Sequence, residues 1–169
     1  MDISFITQSF SDVYLQSPSV GVVFAAILAA LLLLLSGFAS GSEIAFFSLT
    51  PTDIAALDSE KNVRDRKIER LREDSQRTLA TILITNNFVN VTIIMLCNYV
   101  FGSLVHFGPS AYWLQFLMIT VLLTFLLLLF GEIMPKVYSR QNPLKFCRRS
   151  VDGILIFRKL FWPIENVLL

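Results

Sequence analysis

Three long apolar windows leave this chain few ways to fold in water. They cover residues 20–47, 79–104 and 111–130. A helix needs about 20 apolar residues to cross a bilayer, and lipid offers no partner for an unpaired backbone group. Hydrophobic residues make up 54% of the whole chain, and the mean hydropathy is +0.64. The sequence therefore predicts an all-α membrane protein with three transmembrane helices.

The basic residues are confined to two segments outside these windows. All 14 Lys and Arg lie between Lys61 and Arg77 or between Lys136 and Lys159. Because cytosolic loops of membrane proteins are enriched in Lys and Arg, this pattern predicts the orientation. We expect the N-terminus outside and the C-terminal tail in the cytosol, with the chain in the cell (inner) membrane. An odd number of spans, such as three, also places the two termini on opposite sides of the membrane.

The windows and charges together predict three regions. Residues 1–19 form an external lead. Residues 20–142 form a three-span transmembrane domain, with a cytosolic helical connector over residues 50–77. Residues 143–169 form a juxtamembrane amphipathic helix, because their apolar residues fall near one face and their five basic residues argue against a fourth span.

Local signals refine the connector and the third span. Thr50-Pro51-Thr52-Asp53 has the cap, the first-turn proline and the acid of a helix start. Apolar residues then recur at helical spacing among alternating charges, which predicts a solvated helical hairpin. Pro135 cannot donate a backbone hydrogen bond, so we expect the third helix to kink or end there.

Nothing in the sequence indicates an enzyme. The two cysteines, Cys97 and Cys147, fall in a span and in the tail, so they are expected to be packing residues that do not pair. His106 is predicted to be a surface residue of the external loop. The sequence has no Gly-rich phosphate loop and no Cys-based metal motif.

Polar residues enter the membrane windows at three places. Small and hydroxyl residues end the first window, three amides lie within the second, and a carboxylate follows the third. Helical residues four apart share a face, and the predicted orientation puts all three groups in the inner half of the membrane. We therefore expect them to meet at one metal-ion site. The candidate ligands are Ser36, Ser40, Ser42, Glu43, Asn86, Asn87, Asn90 and Glu132.

Hydroxyl, amide and carboxylate oxygens suit Mg²⁺, Ca²⁺ or Na⁺ and bind Zn²⁺ poorly. Other interpretations stay open. Ser and Asn in membrane helices also join helices by hydrogen bonds, each pair contributing about 0.5–2 kcal/mol. Glu132 can instead form an interfacial ion pair beside Lys136, and Glu43 can pair with a basic residue across the inner interface.

Three ordered motifs carry a family resemblance over roughly residues 34–140. They are Ser40-Gly41-Ser42-Glu43-x-Ala45, Asn86-Asn87-x-x-Asn90 and Gly131-Glu132-Ile133-x-Pro135-Lys136. Together they resemble the transmembrane domain of the CNNM/CorC family of magnesium transporters. By motif match, the resemblance implies ion-site roles for Ser36, Ser40, Asn86, Asn87, Asn90 and Glu132.

The resemblance also implies a homodimer of three-span protomers with a cytosol-facing cavity that holds Mg²⁺. It implies Mg²⁺ export coupled to Na⁺ entry, and a pair of CBS modules and a CorC-type domain farther along the full-length chain. The sequence ends at Leu169 with no terminal signal, so we expect a longer protein. The expected function is Mg²⁺ transport. Two alternatives are a membrane-anchored magnesium sensor or scaffold, and an assembly subunit that binds no ion.

Overall fold

A computed structural model describes residues 14–106 and 112–168. The described chain is almost entirely helical, as the sequence predicts. Its two-residue strands pair antiparallel, Tyr14 with His106 and Leu15 with Val105. In chain order the elements are β1 (Tyr14–Leu15), α1 (Val20–Phe47), α2 (Pro51–Ala55), α3 (Val63–Glu73), α4 (Ser75–Leu104), β2 (Val105–His106), α5 (Tyr112–Leu126), a π segment (Leu127–Ile133), α6 (Met134–Gln141) and α7 (Pro143–Leu168).

Three helices of the described chain are long and apolar enough to cross a membrane. They are α1, α4 and a third helix over Gln115–Gln141, which joins α5, the π segment and α6. The prediction of three spans is thus confirmed, and the protein is a membrane protein. The first two spans keep their predicted extents to within a few residues, whereas the third runs past its predicted end at Phe130.

The sequence predicts that the third helix either kinks or ends at Pro135. It does not end there. Instead, the distortion lies just before the proline, where the backbone widens into the π segment and the N–H of Met134 bonds to the carbonyl of Leu129. Pro135 then occupies the first turn of α6, where its missing N–H is tolerated. The helix therefore continues to Gln141.

Side-chain caps define the starts of α1, α2 and α3. Ser19 caps α1 by accepting from the N–H of Val22 at 3.4 Å. The predicted start at Thr50 is confirmed: Thr50 and Asp53 form a reciprocal capping box ahead of α2. These hydrogen bonds from Thr50 lower the pKa of Asp53. Asn62 caps α3 by accepting from the N–H of Arg64 at 3.0 Å.

A hydrophobic core joins the C-terminal end of α1 and the N-terminal part of α4 to α3 and α7. Its buried members are Ala45, Phe46, Ile68, Leu71, Ile82, Cys147, Val151 and Ile154. Burial raises the pKa of the Cys147 thiol to about 12. Its prediction as a packing residue is confirmed. The buried face of α7 ends before Leu160, whose side chain is 64% exposed.

Ion pairs at three carboxylates, here called the charge clamp, tie α3 and Asp74, just before α4, to α7. Arg148 donates from two nitrogens to both carboxylate oxygens of Asp65, each at 2.7 Å, and Asp65 is fully buried. Lys67 binds Asp152 at 2.5 Å, and Arg158 binds Asp74. Hydrogen bonding to Arg148 lowers the pKa of Asp65 and raises that of Arg148. The clamp fixes α7 against the connector.

Candidate metal-ion site

The hydroxyl side of the site comes from the second half of α1. Ser36 and Ser40 lie one turn apart on the same face of the helix, and both are fully buried. Small residues at neighbouring positions let other helices approach this face closely, as they do in membrane helix packing. Both hydroxyls therefore point at α4 from inside the helix bundle.

The amide side of the site comes from α4. Asn86 and Asn90 share a face because they are four residues apart. The Ser36 hydroxyl lies 3.0 Å from Oδ1 of Asn86 and 2.6 Å from Oδ1 of Asn90. The Ser40 hydroxyl lies 3.3 Å from Oδ1 of Asn86. Two hydroxyls and two amide oxygens thus converge between α1 and α4.

The third helix adds a carboxylate through its π segment. Nδ2 of Asn90 donates to Oε1 of Glu132 at 3.5 Å. Since a carboxylate only accepts, this contact turns the amide nitrogen of Asn90 toward Glu132 and its oxygen toward Ser36. Gly131 lets the segment come this close: a Cβ there would lie 3.1 Å from the Ser36 hydroxyl. Three membrane helices therefore supply oxygens to one place.

Comparison with known proteins identifies the family. The family model described as CNNM, "Cyclin M transmembrane N-terminal domain", matches residues 27–168. The chain belongs to the CNNM family. It is 34% identical over 136 residues to "Metal transporter cnnm-4" of Caenorhabditis elegans and 31% identical over 132 residues to a UPF0053 protein of Haemophilus influenzae. Each of these alignments covers 78% of the chain.

A UPF0053 protein of a Synechocystis species is 27% identical over 141 residues, or 81% of the chain. The CNNM resemblance inferred from the three motifs is thus confirmed. The chain spans 28%, 30% and 39% of the lengths of the nematode, Haemophilus and Synechocystis relatives. It therefore corresponds to only part of these longer proteins.

Three predicted ligands of this CNNM chain do not join the cluster. Asn87 is exposed, because one helical step turns it away from the face that carries Asn86. Ser42 is buried, but its hydroxyl donates to the carbonyl of Phe38 on its own helix at 2.7 Å. Glu43 forms an ion pair with Lys136 at 3.3 Å. The interpretation of Glu43 as an interfacial ion-pair partner is the one the structure supports.

The oxygen set has a definite chemical character. Within the described residues, no group of three or more His, Cys, Asp or Glu side chains is arranged to hold a metal. The cluster instead combines four neutral oxygens, two from hydroxyls and two from amides, with the carboxylate of Glu132. Such a set favours hard cations over Zn²⁺ or Cu⁺. The π segment, which aims this carboxylate, had no sequence signal apart from Gly131 and Pro135.

Close packing of Gly37 against the third helix supports the geometry of the site. A Cβ on Gly37 would lie 2.9 Å from Cγ of Pro135 and 3.3 Å from the carbonyl oxygen of Phe130. We expect Gly37→Ala to destabilise the protein by about 1–3 kcal/mol, since a proline ring and a backbone carbonyl must shift. The melting temperature of the purified protein in lipid nanodiscs checks this.

Gly102→Ala is the matched control. Gly102 also lies in a membrane helix, but a Cβ there meets nothing within 4 Å. Its melting temperature should match or exceed that of the wild type. Equal melting temperatures for the Gly37 and Gly102 variants would show that the α1–third-helix contact is not tight.

Proposed function

We propose that this chain is the membrane domain of a metal-cation transporter. Its cargo is Mg²⁺, which it moves out of the cytosol with Na⁺ entry as the coupled flow. The ion site consists of Ser36, Ser40, Asn86, Asn90 and Glu132. Membership of the CNNM family supports this proposal, and so does the nematode relative that is named a metal transporter.

The environment of the Ser36 hydroxyl is the observation that carries the proposal. This hydroxyl has one hydrogen but lies within 3.0 Å of two amide oxygens. It can donate to only one of them at a time, and when it donates to Asn90 the Ser40 hydroxyl can donate to Asn86. Each of these four oxygens then still has a lone pair that no hydroxyl of the cluster satisfies. A surplus of oxygen lone pairs next to a carboxylate is the arrangement that a hard cation satisfies.

Mg²⁺ imposes a further demand on such a site. It dehydrates reluctantly and prefers octahedral geometry with oxygens at about 2.0–2.1 Å. Five side chains from three helices can replace part of its water shell, and retained waters complete the rest. Moving one of these helices relative to the others would break the set and release the ion. Transport by alternating access therefore requires the three helices to separate at this point.

Lys136 would oppose cation entry if its charge were unbalanced. It lies one helical turn beyond Glu132, at the same end of the third helix. Its ammonium group pairs with the carboxylate of Glu43 at 3.3 Å, and both side chains are partly buried. The pair removes a repulsive charge from the approach to the site and leaves Glu132 as its anionic group. We propose that this approach is on the cytosolic side.

The remaining parts of the assembly are also proposals. The outward face of the third helix carries large apolar side chains such as Phe116 and Val121, which are 73% and 61% exposed. We propose that lipids cover part of this surface and that a homodimer contact covers another part. We also propose that cytosolic CBS-pair and CorC-type domains follow α7 in the full-length chain. The greater length of the relatives leaves room for such domains.

Neighbouring amides on α4 provide a sharp test of the site. We expect Asn86→Ala to reduce Mg²⁺ flux by roughly 5- to 10-fold, the loss of one hydrogen-bond-sized interaction. Asn87→Ala removes the same side chain from the next position, which is exposed, and should leave flux unchanged. Flux into proteoliposomes that contain the full-length protein, followed with a Mg²⁺-sensitive dye, measures both.

If Asn86→Ala and Asn87→Ala lose equal amounts of Mg²⁺ flux, Asn86 has no particular role and the proposed ion site is contradicted.

The same preparation distinguishes a transporter from a sensor. If wild-type protein binds Mg²⁺ but carries no flux, the membrane-anchored sensor or scaffold replaces the transporter. If Mg²⁺ raises the melting temperature of neither wild type nor variants, the cluster joins helices without binding an ion.

A further inference from the structure

The bundle has a large apolar groove whose lining includes none of the proposed ion-site residues. It runs between α1, the third helix and α7, and its volume is about 530 Å³. Leu34 and Met134 form part of its wall and are 73% and 53% exposed. Gly37 and Pro135 also line the groove, and they are in close contact with each other. Its inner part can therefore hold a hydrocarbon chain.

The groove opens at one end onto two cations of α7. Arg149 lines the groove together with Tyr138 and Phe146. The same three residues also line a small adjoining cavity of about 50 Å³, which Lys145 borders as well. Lys145 and Arg149 are four residues apart, so they share a face of the helix. The apolar groove thus ends at a pair of positive charges.

These two cations differ from their neighbours in having no counter-charge. Arg148 and Arg158 on the same helix are paired with carboxylates in the charge clamp. Among the ion pairs of the described residues, none includes Lys145 or Arg149. Both side chains are exposed. The cavity also borders Asn142, next to the N-terminus of the 26-residue helix α7, whose first-turn N–H groups favour an anion.

We propose that this groove binds one anionic glycerophospholipid. An acyl chain occupies the apolar groove between α1 and the third helix, and the phosphate lies between Lys145 and Arg149 at the start of α7. Charge complementarity selects this occupant: an apolar slot at membrane depth that ends in two unpaired cations matches a lipid tail joined to an anionic headgroup. A zwitterionic lipid fills the slot but does not neutralise the cations.

The bound lipid would also connect two parts of the fold. It contacts the third helix near Pro135, one turn after Glu132, and it contacts α7, which the charge clamp fixes to the connector. The lipid site is distinct from the ion site, and its test does not depend on transport.

Lipid retention by the full-length protein tests the proposal. The protein is purified in a neutral detergent and titrated with phosphatidylglycerol or phosphatidylcholine of the same acyl chains, and native mass spectrometry counts the lipids retained. We expect wild type to hold one phosphatidylglycerol in preference to phosphatidylcholine. Each cation near a phosphate contributes roughly 5-fold, so Lys145→Gln with Arg149→Gln should lower phosphatidylglycerol affinity roughly 30-fold.

Two variants make the result specific. Arg140→Gln with Lys159→Gln also removes two exposed cations that join none of the described ion pairs, and it should leave phosphatidylglycerol affinity unchanged. Met134→Trp fills the groove and should reduce retention of both lipids. Melting temperatures confirm that each variant folds.

Three outcomes would overturn the proposal. The first is phosphatidylglycerol affinity in the Lys145/Arg149 double variant equal to that of wild type. The second is equal affinity of wild type for the two lipids. The third is efficient disulfide cross-linking between protomers of Met134→Cys, which would show that a second copy of the chain covers the groove.

Discussion

Replacing Glu132 with glutamine lowers Mg²⁺ flux by roughly 10- to 100-fold in our account, because the site loses its carboxylate. The neutral oxygens of Ser36, Ser40, Asn86 and Asn90 remain, but they do not balance the charge of a divalent ion. Glutamine keeps nearly the same shape, and its carbonyl oxygen still accepts from Asn90, so the helices stay packed. Proteoliposome flux of the full-length protein and isothermal titration with Mg²⁺ measure the two consequences.

The control for this experiment removes the other carboxylate without changing net charge. Glu43→Gln with Lys136→Gln deletes both members of the partly buried ion pair at the same end of the bundle. Because partly exposed ion pairs contribute little, flux should stay within roughly threefold of wild type. If the double variant loses flux as strongly as Glu132→Gln, the ion passes between Glu43 and Lys136, and the assignment of Glu132 fails.

Arg148→Ala is expected to cause the largest loss of stability outside the membrane. It leaves the fully buried carboxylate of Asp65 without its bidentate partner. Removal of one member of a buried pair costs about 3–5 kcal/mol. The one-third exposure of Arg148 lowers the expected loss to about 2–3 kcal/mol. The melting temperature in nanodiscs at neutral pH measures this loss. Arg140→Ala, at an exposed arginine outside the described ion pairs, should change the melting temperature little.

Acidification gives the same prediction a second readout. The pKa of Asp65 is lowered in the folded protein, so the pair adds stability above the unfolded value near 3.8 and loses it as pH falls through the lowered folded value. In Arg148→Ala the buried carboxylate loses the partner that favours its charged form, so protonation at low pH costs the folded variant less than it costs wild type. The difference in melting temperature between wild type and variant should therefore shrink below about pH 4. A difference that stays constant down to pH 3 would contradict the charge clamp.

The sequence predicts the spans and part of the site for clear physical reasons. Apolar length alone locates the first two membrane helices, because lipid enforces a minimum length. Spacing by four residues puts Ser36 with Ser40 and Asn86 with Asn90, since a helix fixes which positions share a face. The capping box at Thr50 is equally local. Each of these features depends only on residues within one or two helical turns.

Features that depend on tertiary contacts have no signal in the local sequence. Asn87 lies within three residues of Asn90, so sequence spacing alone did not exclude it from the site; its exposure follows from how α4 is rotated in the bundle. The π segment depends on how Pro135 and Gly131 fit against α1. The pair of Asp65 and Arg148 joins residues 83 positions apart, which no local pattern reveals.

Anomalous diffraction from crystals of the full-length protein soaked in Mn²⁺, a Mg²⁺ substitute with a strong anomalous signal, tests the common metal site most directly. Our account predicts a peak between α1, α4 and the π segment, with oxygens of Ser36, Asn90 and Glu132 within about 2.2 Å or bridged by one water. If crystals at saturating Mn²⁺ show no anomalous peak at this position, or show the peak between Glu43 and Lys136, the proposed metal site is contradicted.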